Sequence, residues 1–133
     1  MDYTIVLDNQ WATMRYSHDL HHMYHTFKQP ISGQSFRDVL NTGLATLKER
    51  GITRWLSDDR LNAEFPPDDV AWVFNDWIVR AAASGWKTWA LVVPESVAAR
   101  DNMHQLVELV YSKGVRVMVF TDVESAHAWL RQV

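Results

Sequence analysis

"KTWALVVP" (residues 87–94) decides the fold class, because every residue from Trp89 to Val93 is apolar. A strand with one wet face alternates apolar and polar side chains. An unbroken run needs cover on both faces, the condition of a central strand between layers of helix. Pro94 ends it. The flanking segments supply helices. Upstream, a helix begins near Asp68 or Asp69, whose carboxylates suit a first turn, and runs to Ala83 with Val70, Val73, Phe74, Trp77 and Ala81 inward. Downstream, Met103, Leu106, Val107 and Val110 line one face of a helix over 97–113, closed by Gly114.

The alternation continues outward. "ITRWLS" (52–57) and "VRVMVF" (115–120) read as strands. Residues 35–50 form a helix with Phe36, Val39, Leu40, Leu44 and Leu47 at helical spacing, and Gly51 takes the left-handed cap. Thr121 and Glu124 fit a capping box for a last helix, "DVESAHAWLRQ". Before Gly33, "YTIVLD" (3–8) and "WATMRYS" (11–17) read as a hairpin, followed by the alternating run "MYHTFK" (23–28). The expected order is β-β-β-α-β-α-β-α-β-α. This is an α/β domain over residues 1–133, with a mixed sheet of an N-terminal antiparallel hairpin and parallel strands joined by helices.

Composition narrows the function classes. Apolar residues at 47% and charged residues at 22% belong to a globular chain with a real core. A net charge of −3 gives no electrostatic ground for nucleic acid, and no run is long and apolar enough for membrane insertion. With no cysteine, thiol chemistry and cysteine-ligated metals are excluded. That and the absence of a leader pattern fit a cytoplasmic protein. Seven tryptophans are spread along the chain, and most are expected in the core.

Candidate sites lie at the carboxyl ends of the parallel strands. Trp55, Ser57, Asp58, Asp59 and Arg60 gather at one end, Glu95 and Ser96 at another, Thr121 and Asp122 at a third. Together they would make a wet acidic rim, the oxygen-rich setting of a hard cation such as magnesium. Such residues also cap helices and fill turns, and no Gly-rich phosphate loop accompanies them. No metal and no cofactor is therefore assigned. "SHDLHHMYH" (17–25) offers His18, His21, His22 and His25, but a strand sends His22 and His25 to opposite faces and pairs His21 with His25. The reading is a surface hairpin end. No Gly-x-Ser-x-Gly turn surrounds Ser57 or Ser96, so no catalytic residue is assigned. Trp72 lies beside the core stripe of its helix, either folded over the preceding loop or free to contact a second copy or another protein.

Three pieces, "RWLSDDR", "DDVAWVFNDW" and "VFTDVESAHAWL", together with the element order, give the whole chain a pattern that resembles the STAS domains. These are the sulfate-transporter and anti-sigma-factor-antagonist modules, and the likeness is to small bacterial SpoIIAA-like, SEC14-related proteins. The resemblance implies a non-enzymatic interaction or signalling module acting through protein–protein contacts or self-association. It also implies a phosphorylatable serine at the start of the helix after strand 52–57. The segment "DDRLNAEFPPDDVAWVF" (58–74) has no Ser or Thr, so the chain departs from that switch. The alternative is a small-ligand binder, apolar or nucleotide-like, with a cleft near the 57–69 loop. A cavity lined by Trp55, Phe65, Trp72 or Phe120 would favour it.

Overall fold

The computed structural model describes residues 2–133. Six strands form one sheet in the spatial order of the sequence: β1 (Tyr3–Asp8), β2 (Ala12–Ser17), β3 (His22–Phe27), β4 (Arg54–Asp58), β5 (Thr88–Val92) and β6 (Arg116–Phe120). The first three pair antiparallel and the last three join in parallel, so the expected mixed sheet is present. Strands 52–57, 87–94 and 115–120 lie side by side.

The helices divide between two faces. Helices α1 (Gly33–Arg50), α2 (Pro67–Trp72), α3 (Ile78–Ala83) and α4 (Val97–Ser112) cover the face that carries Met14, Met23, Trp55, Trp89 and Leu91. Helix α5 (Val123–Leu130) alone covers the other, packing Ala126 and Leu130 on Leu56, Ala90 and Val92. Both faces of β5 are thereby dry, which is why its sequence is uninterrupted apolar. Arg54 latches the chain end: its guanidinium donates to the carbonyls of Leu20, Leu130 and Val133.

Two local features depart from the sequence reading. The helix expected over 68–83 contains a π-helical turn, Val73–Trp77, between α2 and α3. Its wider turn shifts the register by a residue, so Ile78 joins Val73, Trp77 and Ala81 inside while Val70 and Phe74 are half-buried. Helix α1 starts at Gly33, earlier than expected. No side chain of Ser32 caps it; the Gly33 N–H donates instead to Asp69 Oδ2 of α2 at 2.9 Å, a cap supplied across the fold.

Candidate functional site

The segment "WLSDD" is where the sheet meets the helix layer, and strand pleating sorts it. Trp55, Ser57 and Asp59 point toward the helices; Leu56 and Asp58 point toward α5. The expected wet rim is thus corrected, since Asp58 and Asp59 are both buried at 3% exposure. Asp58 takes both prongs of Arg60 at 2.9 Å, and Arg60 is held more firmly protonated by that bond. Asp122 is exposed and caps α5, accepting from the Ser125 N–H at 2.7 Å and the Ser125 hydroxyl at 2.9 Å, which together lower its pKa. Asp58, Asp59 and Asp122 therefore face three different surroundings. Among the described residues no group of three or more His, Asp or Glu side chains converges as a metal site.

Asp59 enters a chamber of about 40 Å³ beneath the 59–66 loop, with walls that include Phe36, Trp55, Phe65, Trp77, Trp86 and Trp89. Its Oδ1 accepts from His25 Nε2 at 2.7 Å. His25 Nδ1 accepts in turn from the Trp55 indole N–H at 2.9 Å, which fixes the ring as the Nε2–H tautomer. Ser57 Oγ accepts from the Trp89 indole at 2.8 Å. Burial raises the Asp59 pKa, with the His25 bond opposing and Asp58 adding to the rise. Register places Ser57 beside His25, yet both ring nitrogens of His25 are engaged elsewhere. Ser57, His25 and Asp59 are therefore not wired as a proton relay from the hydroxyl.

The loop over the chamber is pinned at several points. Asn62 Oδ1 accepts from the Ile31 and Ala63 amides at 3.2 and 2.9 Å, and Asn102 Oδ1 from the Phe65 amide at 3.1 Å. On the opposite face of the sheet a cleft of about 350 Å³ opens between Thr26, Lys28, Asp58, Arg60, Leu61 and Glu95. Its cations are occupied, Arg60 by Asp58 and Lys28 by Asp8 at 2.7 Å.

The other sequence candidates separate. Trp72 is half-buried against Phe36, with the guanidinium groups of Arg37 and Arg80 at 5.2 and 6.0 Å from its ring, so it folds onto its own chain. The chamber takes Trp55 and Phe65 but not Trp72 or Phe120; Phe120 packs on Trp129 under α5. The histidines are not a surface cluster. His21 leaves the strand in a left-handed turn (φ 51°), so it shares no face with His25, and only His18 and His21 are exposed. His22 is fully buried beside His127, with neither ring nitrogen partnered, and burial drives its pKa down to about 3.

Sequence reasoning missed the Trp55–His25–Asp59 chain. The period of two in "WLSDD" already separates Asp58 from Asp59; what the sequence lacks is the β3–β4 register that brings in His25. No family model, curated protein or solved structure matches the chain.

Proposed function

We propose that this protein is a non-enzymatic, STAS-like interaction module that works by self-association through its β6 edge. One observation carries the reading. β6 ends the sheet with an unpaired backbone edge and exposes Met118 at 44% and Val119 at 48%. Soluble proteins blunt such edges with charge, proline or a bulge. The other edge, β1, has a bulge between Ile5 and Leu7; β6 pairs in regular register and carries no charge after Arg116.

A second copy suits this strand. Antiparallel pairing about a two-fold axis at Met118 sets Val117 opposite Val119 and Arg116 opposite Phe120, apolar and cation–aromatic pairs with no like charges facing. The resemblance to STAS modules in element order and in "RWLSDDR" supports an interaction role. Ser57, the one hydroxyl near the switch position, is buried and bonded to Trp89, so control by its phosphorylation forms no part of the proposal. A nucleotide-like ligand finds less support, because the 350 Å³ cleft offers it only cations already paired.

Sedimentation equilibrium tests the proposal. The protein is expected to sediment as a dimer, and Met118→Lys or Val119→Lys, which place charge on the edge without touching the core, as a monomer. A parent monomer at all accessible concentrations, or a dimer unchanged by both variants, refutes it.

A further inference from the structure

The chamber contains a carboxyl group, Asp59, whose ionised form has no counter-charge. An ionised Asp59 buried among aromatic rings is costly unless something positive stands by it. His25 cannot be that partner: a second proton would have to go on Nδ1, and the Trp55 N–H already points there. Arg60 is committed to Asp58 on the other face of the sheet. The second carboxylate oxygen of Asp59 has no protein donor among the described residues.

The walls favour the same kind of occupant. Trp55, Trp77, Trp86 and Trp89 stand edge to face in a chain with centroid separations of 5.4 to 5.7 Å, apart from 6.1 Å between Trp55 and Trp86. All four indole N–H groups are satisfied, by His25, Leu40, Thr88 and Ser57. With their N–H groups spent, the rings have only their π-systems left to offer, and it is the negative π-face that attracts an organic cation. The π-helical turn contributes Val73 and Trp77 to the wall, and such turns recur where helices shape functional sites.

Size then limits the ligand. A cavity of ~150 Å³ takes the six carbons of benzene; by that measure 40 Å³ admits no more than about two non-hydrogen atoms. We propose that the chamber binds a small organic ammonium ion, methylammonium in scale, with Asp59 as its counter-ion and Ser57 Oγ as a second acceptor. The site is independent of the β6 edge.

Thermal melts and intrinsic tryptophan fluorescence test this, using methylammonium chloride against sodium chloride at equal ionic strength. Methylammonium is expected to raise the melting temperature saturably and to change the fluorescence with the same midpoint. Both effects should be larger at pH 8 than at pH 5, because the cation competes with a proton for Asp59. The titratable and charged groups around that carboxylate are His25, fixed by Trp55, and Asp58 across the sheet, neutralised by Arg60. Asp59→Asn should abolish the response. Equal behaviour of the two salts at both pH values overturns the proposal, and so does a full response in Asp59→Asn. If that variant does not fold, the pH dependence in the parent protein decides: a methylammonium effect no larger at pH 8 than at pH 5 also overturns it.

Discussion

Gly43→Ala tests the packing that shapes the chamber. A Cβ at position 43 would lie 2.5 Å from Trp55 Cη2, 2.8 Å from Trp55 Cζ2 and 2.6 Å from Met14 Cε. Ordinary contact begins near 3.4 Å, so each neighbour must yield by most of an ångström. Met14 can swing its terminal methyl. The Trp55 ring cannot turn freely, because its N–H is bonded to His25 and it stands edge-on to Trp77 at 5.4 Å. Overpacking a core of this kind costs about 1–3 kcal/mol, and a rigid ring places this case near the top. Alanine in place of glycine within a helix returns about 1 kcal/mol. The net expectation is a loss of about 2 kcal/mol, or roughly 8 °C in melting temperature for a chain of this length.

Urea denaturation at 25 °C measures that loss. In a double-mutant cycle, Trp55→Phe removes both clashing ring atoms, so Gly43→Ala should cost little in that background. The two substitutions would then couple by about 2 kcal/mol. A neutral or stabilising Gly43→Ala, or costs that simply add, would refute the account of a rigid Trp55.

Other expectations concern charge and the chain end. His22→Leu should stabilise the protein by about 1–3 kcal/mol in urea titrations near neutral pH, since it removes a buried ring whose nitrogens have no partners. With His22 depressed to about 3, its contribution to stability falls as pH drops from about 6.5 toward 3, because the unfolded chain takes the proton first; that slope should vanish in His22→Leu. Asp59 acts in the opposite sense. Its raised pKa makes its contribution fullest below the ordinary carboxylate value and lost as pH rises through the folded-state value, so Asp59→Asn should remove that decline above the ordinary carboxylate value from the pH–stability curve. Arg54→Met should leave α5 exchanging its amides at least tenfold faster than β5 relative to the parent, as read by hydrogen exchange, because the carbonyls of Leu130 and Val133 lose their donor.

The legible part of this fold was periodic. "KTWALVVP" and the helical stripes fix which segments are strands and which are helices, because burial on one or two faces writes itself into spacing. The π-helical turn escaped, since Val70, Val73, Phe74, Trp77 and Ala81 fit a regular helix as well as an interrupted one. The acidic rim failed for a related reason. Asp58 and Asp59 are neighbours in sequence, but pleating sends them to opposite faces, and each is buried because a partner distant or local (His25 or Arg60) is waiting. Partners set by register, such as His25 opposite Ser57, leave no trace in spacing. Burial of His22 was hidden too, because nothing in "HDLHHM" (18–23) signals a helix closing over it from a hundred residues away.

Hydrogen exchange of β6 as a function of protein concentration tests the proposed self-association most directly. The edge-facing amides of β6 are those of Val117 and Val119, because the Arg116 N–H and the Phe120 carbonyl are turned inward to Lys87 and Val93. The account predicts that these amides become protected as concentration rises, while those of β5 are slow throughout. Fast exchange along β6 that is independent of concentration would contradict it.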